Sequence, residues 1–278
     1  MNAYKLLAVD IDGTLCMPGQ EIPLEVIESL KKCVNSNILV VISTGKKFNS
    51  IQALCENIGI EGPVITCNGA ITVEARTQKI LFSHFLPKAL YRTIISTLEN
   101  DERVRIAVFT EHDIVCTSVN LASKLLNSIG EPTTRFVHSL LSLSSENVAK
   151  ILVAVEDSRI LKSVYDSYSH QYTQDCSITI TSDKFVEFMS LNASKGKALL
   201  SLAKSNGIMR QNIACIGDSD NDLSMFEIAG LSIAVANATP SVLQAADVIV
   251  PLASERGVVK AVNNLILGET NGAASQQN

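Results

Sequence analysis

The sequence predicts an α/β fold built on a parallel sheet, with an α+β segment inserted into it, and three observations carry that prediction. Short, continuously apolar runs alternate with segments of helical periodicity at both ends of the chain. Those runs end at turns rich in Gly, Ser, Asn or Asp. The middle of the chain, residues 83–187, changes to a hairpin-like pattern with interposed helices. Uninterrupted apolar strands belong to sheets covered on both faces, and β-α-β order gives parallel neighbours joined by right-handed crossovers.

The elements follow in order. Leu6–Val9 is the first buried strand, and a helix opening at Pro23 carries Val26, Ile27, Leu30, Cys33 and Val34 on one face. Ile38–Ile42 is the second strand, ending at Ser43-Thr44-Gly45. The next helix shows Phe48, Ile51, Leu54, Cys55 and Ile58 at helical spacing. Pro63–Cys67 reads as a third strand of the same parallel sheet, stopping at Asn68-Gly69. Within the insert, Val104–Phe109 and Ile114–Thr117 read as a hairpin around Glu111-His112-Asp113. Ile151–Val155, Ser177–Thr181 and Phe185–Phe188 are further strands, and helices cover Lys88–Glu99, Leu121–Ile129 and Arg159–Ser169. The parallel style then resumes, with a helix from Ser194 to Asn206, a strand over Asn212–Ile216 ending at Gly217-Asp218, and a helix over Leu223–Ile228. It continues with strands over Ser232–Val235 and Asp247–Val250, and a closing helix over Gly257–Leu267. Between those two strands Thr239-Pro240 reads as an N-cap followed by proline at the first helical position. The expected division is therefore 1–82 plus 188–268 as the core, 83–187 as the insert, and a polar tail, 269–278, that is disordered. The two connections, near 82–87 and 187–192, are expected to act as hinges.

Composition bounds the function. Hydrophobic residues make up 46% and charged residues 18% of 278, enough for a sizeable core. No apolar stretch reaches the roughly 20 residues needed to span a bilayer, and the N-terminus lacks a signal-peptide layout, so the expectation is a cytoplasmic protein without a membrane partner. A net charge of −5 argues against nucleic acid. The seven cysteines form no C-x-x-C pair and are expected to be reduced, buried thiols, while the four histidines are too scattered for a metal cluster.

The polar clusters of interest all follow buried strands, where open parallel sheets place ligands. They are Asp10/Asp12, Ser43-Thr44-Gly45, Asn68-Gly69 and Gly217-Asp218-Ser219-Asp220-Asn221-Asp222. An isolated Asp-x-Asp has a plain reading as a turn former, and the second acidic loop as a helix cap. Two carboxylates this close need a cation or proton between them, which suggests a Mg²⁺ site with a carboxylate nucleophile.

Asp10-Ile11-Asp12-Gly13-Thr14-Leu15, Thr44-Gly45, Lys195-Gly196 and Gly217-Asp218 through Asn221-Asp222 together resemble the four motifs of the haloacid dehalogenase (HAD) superfamily of phosphohydrolases. The large insert between the second and third motifs resembles the C2-type cap of its Cof-like branch (HAD-IIB). The resemblance covers Tyr4 to about Leu267. It implies a HAD-like Rossmannoid core with an α+β cap, and a Mg²⁺-dependent phosphatase of small phosphorylated metabolites such as sugar phosphates. By the same resemblance Asp10 is the nucleophile that becomes an aspartyl-phosphate, and Asp12 the acid and then the base. Mg²⁺ is held by Asp10, the backbone carbonyl of Asp12 and Asp218, with Asp222 a further ligand or a partner of the ligands. Thr44, Gly45 and Asn221 grip phosphate, and Lys195 supplies positive charge. The plain reading of a helical lysine is a solvated face, and it is assigned to Lys197 instead. Two positions depart from the family pattern: Lys46 stands where Arg is common, and Ala234–Ala238 replaces a Met-Gly-Asn-Ala segment. Asn68 either positions the loop or substrate, or is only a turn former. The competing functions are a C2-capped phosphomutase and a non-enzymatic, Mg²⁺-dependent signalling module. Arg105, His112, Asp183 and Lys184 are the charged or polar candidates in the cap, each with surface exposure as its plainer reading. The sequence leaves the substrate and the oligomeric state open.

Overall fold

The computed structural model describes residues 3–269; the expected disordered tail lies outside them from residue 270 onward. In chain order the elements before the insert are β1 (Leu6–Val9), α1 (Leu24–Asn35), β2 (Leu39–Ile42), α2 (Phe48–Ile58), β3 (Pro63–Thr66), β4 (Ile71–Glu74) and β5 (Ile80–Ser83). Next come α3 (Lys88–Leu98), β6 (Val104–Thr110), β7 (Ile114–Cys116), α4 (Leu121–Ser128), β8 (Arg135–Phe136), β9 (Val148–Val155), α5 (Ser158–Tyr172), β10 (Cys176–Ile180) and β11 (Phe185–Ser190). The chain finishes with α6 (Lys195–Ser205), β12 (Ile213–Gly217), α7 (Leu223–Phe226), β13 (Leu231–Val235), α8 (Pro240–Ala245), β14 (Val248–Val250) and α9 (Gly257–Ala261).

The central sheet has the order β14-β13-β12-β1-β2, and every neighbouring pair in it is parallel. Strand periodicity sorts its side chains to two faces. Leu6, Ala8, Val41 and Cys215 face α6 and α7 with Ala198, Leu199, Leu202 and Met225. Leu7, Val9, Ile42 and Ile216 face the opposite way, toward Leu30 of α1, Ile51 of α2 and Val258 of α9. The sandwich explains why β1 and β2 read as unbroken apolar runs. It also sends every strand exit to one edge of the sheet.

The third strand departs from expectation. Instead of joining the parallel sheet along its length, β3 meets it through a single parallel bridge, from Ile65 to Ser43, the residue just after β2. It then turns back as the first strand of an antiparallel meander, β3-β4-β5. The turn is made by three consecutive residues with positive φ, Cys67 at 49°, Asn68 at 54° and Gly69 at 90°. Asn and Gly tolerate that region best, so the Asn-Gly pair is a hairpin-forming signal rather than a strand end.

The insert carries a six-stranded sheet of order β10-β11-β9-β6-β7-β8. The expected β6–β7 hairpin is there, antiparallel through Val108–Val115. One face of this sheet is covered by α3 and α5, with Tyr91, Ile94, Leu161, Val164 and Tyr168 around Phe188. The other presents Ala107, Phe109, Leu152, Phe185 and Met189 to the same apolar cluster that contains β1 and α2. All seven cysteines are buried and free, as expected. Among the described residues no helix is long and apolar enough to cross a membrane.

Candidate active site

The two aspartates at the exit of β1 are separated by a tight turn. Leu15 and Thr14 donate their N–H groups back to the Ile11 carbonyl, and Gly13 adopts φ 89°. A Cβ on Gly13 would collide with the Asp218 carboxylate, so only glycine lets the first and fourth motif loops meet here. Asp10 is 6% exposed and turned inward. Asp12 points elsewhere, its side chain 32% exposed and paired with Lys46 at 2.8 Å.

Lys195 enters from the first turn of α6, whose N-cap Ser194 accepts the Lys197 N–H. Its wholly buried Nζ donates to Asp10 Oδ1 at 2.6 Å and to Asp222 Oδ1 at 2.7 Å. Lys197, two residues on, is exposed and donates to the Leu191 carbonyl. Helical geometry accounts for that division of roles. Gly196 lets α6 approach this closely, because a Cβ would overlap the Ser224 backbone.

Carboxylate oxygens of Asp10, Asp218 and Asp222 all lie within 4.8 Å of one another. Asp218 Oδ1 accepts from Thr14 Oγ1 at 2.7 Å and Oδ2 from Ser219 Oγ at 3.0 Å. Asp222 is more fully engaged: besides Lys195, its Oδ2 takes the N–H groups of Asp218 and Ser219 at 3.0 and 3.1 Å. Both its oxygens therefore fold the acidic loop. Burial pushes the Asp10 carboxyl well above its usual range, and Asp222 and Asp218 add to the rise while Lys195 opposes it. Burial first, then Asp222, pushes Asp218 up to about 6. Burial pulls the Lys195 ammonium down, but Asp10 and Asp222 together outweigh it and leave its pKa raised. The three carboxylates thus share a single lysine, Lys195. Its donors are all hard oxygens, with no imidazole or thiol among them, a set that fits a small divalent cation such as Mg²⁺.

Thr44 is buried behind β2 and its Oγ1 accepts the Lys46 N–H at 3.2 Å. The Asn68 N–H donates to the Thr44 carbonyl at 3.0 Å, which ties the second motif to the β3–β4 turn. Asn221 Nδ2 donates to Asn68 Oδ1 at 3.0 Å. The structure thus brings Asp10, Asp12, Thr44, Gly45, Asn221 and Asp218 to the wall of one cleft of about 430 Å³, with Lys195 and Asp222 directly beneath it. That volume suits a small molecule.

The insert forms the opposite wall, and here sequence reasoning missed most of the residues. Phe109, Lys150, Phe185 and Glu187 line the cleft, as do Leu125, Leu126 and Ser128 of α4 and Ile129 just after it. Glu187 sits inside a strand that reads as apolar, and Lys150 lies one residue before the expected strand Ile151–Val155, which in the structure begins earlier, at Val148; only their rarity as charges beside buried runs could have marked them. Asp183 and Lys184 do line the cleft. Arg105 instead bonds the Glu102 and Val104 carbonyls, and His112 lies in a separate hollow beside Phe48. Asn237, in the Ala234–Ala238 segment, braces the first motif loop through Gly13 O at 2.7 Å and accepts the Ala253 N–H at 2.9 Å.

Comparison with known proteins adds to this geometry. A family model described as haloacid dehalogenase-like hydrolase matches residues 7–262. The chain is 28% identical to the putative phosphatase YxeH of Bacillus subtilis, across 96% of this chain and 100% of that one. It is 27% identical to the 5-amino-6-(5-phospho-D-ribitylamino)uracil phosphatase YwtE of the same organism, across 95% and 99%. The solved structure of the HAD subclass IIB sugar phosphatase BT4131 superposes with a TM-score of 0.78 over 94% of this chain and 98% of that one, at 23% identity.

Proposed function

The chain belongs to the haloacid dehalogenase-like hydrolase family and is a phosphoric monoester hydrolase; from that premise we propose that it is a member of the Cof-like IIB branch and cleaves a small phosphorylated metabolite through an aspartyl-phosphate on Asp10. The single observation that supports this most is the buried Asp10–Lys195–Asp222 arrangement beside Asp218, opening onto a small-molecule cleft.

Thr44, the Gly45 N–H and Asn221 bind the phosphate oxygens, and glycine at 45 allows close approach. Only Oδ1 of Asp10 is held by Lys195, which leaves the carboxylate anchored but able to attack phosphorus in line. As the P–O bond to the leaving group breaks, Asp12 gives that oxygen its proton. Asp12 then takes a proton from the water that attacks phosphorus and frees Asp10. The exposure of Asp12 suits a group that must meet a leaving group and water, while the burial of Asp10 keeps it on one line of attack. Lys195 neutralises the anionic nucleophile as a second anion approaches. Asp10, the Asp12 carbonyl and Asp218 would hold Mg²⁺, whose charge screens the transferring phosphoryl group. With both oxygens already taken, Asp222 serves as the organiser of its loop. The insert, residues 83–187, acts as the cap, and its Phe109, Phe185 and α4 residues favour a leaving group with a carbon-rich face.

The test is phosphate release from a metabolite panel with Mg²⁺. Asp10→Asn should abolish turnover, and Asp12→Asn should lower kcat by roughly 10²–10⁴. Release that survives Asp10→Asn removes the nucleophile assignment.

A further inference from the structure

Glu187 stands in the middle of a chain of hydrogen bonds that crosses from the inserted sheet to the acidic loop. Its Oε1 accepts from Lys150 Nζ at 2.6 Å and its Oε2 from Asn68 Nδ2 at 2.8 Å. Asn68 Oδ1 then accepts from Asn221 Nδ2 at 3.0 Å. The two charged side chains are only 3% and 4% exposed. Lys150 completes its surroundings with the Gly45 carbonyl at 3.0 Å and the Phe109 ring, 4.3 Å from its centroid. The pair is therefore satisfied within the protein rather than waiting for a ligand.

The direction of the chain is forced. A carboxylate only accepts, so Asn68 must turn its Nδ2 toward Glu187 and its Oδ1 toward Asn221, which must answer with an N–H. A free asparagine side chain can flip; flipping either one here would set acceptor against acceptor. The molecule keeps this polarity at a cost. Asn221 Oδ1 is buried without a hydrogen-bond partner, an arrangement that native structures rarely tolerate. Asn221 nevertheless lines the cleft, and with its oxygen buried the amide nitrogen is what it has to offer there. Gly45 makes room for the relay, since a Cβ would press on the Asn68 amide at 3.2–3.3 Å.

We propose that Glu187 and Lys150 are positioning residues for phosphate binding: through Asn68 they hold the Asn221 amide with its N–H toward the cleft. The inference rests on the reading above that Asn221 grips phosphate. A phosphate dianion presents only acceptors, so a fixed N–H attracts it and a flipped amide repels it. Fixing the amide beforehand removes an ordering cost from binding. Because Glu187 and Lys150 come from the insert while Asn68, Asn221 and Gly45 come from the core side, the phosphate grip is complete only with the insert seated.

The test is the inhibition constant of inorganic phosphate against hydrolysis of p-nitrophenyl phosphate. It is measured for Asn221→Ala, for Lys150→Met/Glu187→Met, and for the three changes combined. The paired methionines bury no lone charge, which protects folding. Asn221→Ala should raise the constant roughly tenfold or more, as for loss of a hydrogen bond to a charged group. The methionine pair should raise it by a similar factor, and the combined variant should be no worse than Asn221→Ala alone, because both routes remove one N–H. Additive losses, or an unchanged constant in the methionine pair while Asn221→Ala binds weakly, overturn the relay and leave the phosphate role of Asn221 standing. An unchanged constant in Asn221→Ala overturns both.

Discussion

Lys46 Nζ lies 2.8 Å from Asp12 Oδ1, so the residue that follows the Thr-Gly pair is the ion partner of the second aspartate. The lysine comes from the turn after β2 and the aspartate from the turn after β1, and Lys46 is the less exposed of the two, at 14%. It holds the carboxylate at the cleft wall.

That geometry predicts a loss of rate with little loss of stability on removing the lysine. Lys46→Met should lower kcat/KM by roughly ten- to a hundredfold, the scale expected when a proton-transfer group is misplaced by about an ångström. Lys46→Arg should stay within a few-fold of the parent, because the charge remains. Steady-state kinetics on one phosphate ester decides it; less than a twofold change in Lys46→Met means that Asp12 is positioned by something else.

Lys195→Met should act on stability as well as rate. It leaves Asp10 and Asp222 buried without their shared cation, and breaking a buried pair costs about 3–5 kcal/mol. The penalty should be largest at neutral pH and shrink near pH 5, because the orphaned carboxylates can then take up protons. Urea melts at the two pH values measure the difference. An equal penalty at both would show that the loss is one of packing rather than charge.

Mg²⁺ should stabilise the protein more at pH 7.5 than at pH 5. The Asp218 carboxyl is raised to about 6 in the folded protein, against about 3.9 for an unperturbed Asp. Between those values the folded state holds a proton that the unfolded state has lost, so stability of the metal-free protein falls as pH rises through that window. Asp10 shifts in the same direction. A bound cation replaces those protons, and at a hundredfold excess over its Kd it contributes about 2.7 kcal/mol. Melting temperatures with and without Mg²⁺ should differ by several degrees at pH 7.5 and by clearly less at pH 5. Equal shifts would place the cation away from Asp10 and Asp218.

The parts of the site legible in the sequence were those built by local chain geometry. Asp10, Thr44 and Asp218 follow apolar strands at the exits of a parallel sheet, so strand order alone sends them to one edge. Lys195 was told apart from Lys197 by its place in the third motif that the chain resembles; helical rotation says only that the two face different ways. Less legible was anything decided by contacts distant in sequence. Glu187 and Asn68 are 119 positions apart, and Lys150 and Gly45 are 105 apart. Nothing local in a strand such as Val148–Val155 says that its one lysine meets a carboxylate from the next strand. The β3–β4 reversal was hidden for a different reason: an Asn-Gly pair ends a strand or folds a hairpin, and the choice rests on whether the following residues find a partner strand.

Gly13→Ala should remove activity while sparing most of the fold. A Cβ at this position would strike the Asp218 carboxylate, and the backbone has φ 89°, which alanine resists. The backbone strain is of order 1–3 kcal/mol. Asp218 must move to relieve the collision, so kcat should fall by roughly 10² or more, as geometric misplacement can cause. A variant with near-parent kcat would mean that Asp218 is not held where it is needed. Circular dichroism should show the parallel sheet intact.

Lys47 supplies the last prediction, because it joins the core to the insert at a point away from the chemistry. Its Nζ, on a residue only 8% exposed, donates to the carbonyls of Thr110 and Glu111 at 2.6 and 3.0 Å. Its backbone N–H, at the start of α2, donates to the Glu131 carboxylate at 3.1 and 3.3 Å. Burial raises the Glu131 pKa, while Ser50 and the Lys47 N–H hold it down. Lys47→Met keeps the N–H bond and removes the ammonium, leaving two carbonyls to find other partners at about 1–3 kcal/mol. The loosening should be local. Amide exchange should quicken across Thr110–Ile114, where the hairpin leans on Lys47, and stay slow in β12, which is held by parallel neighbours on both sides. KM should rise several-fold with kcat nearly unchanged, since Lys47 touches neither the acidic cluster nor Asp12. Exchange that quickens equally in β12 would show that Lys47 supports the whole fold rather than the seating of the insert on it.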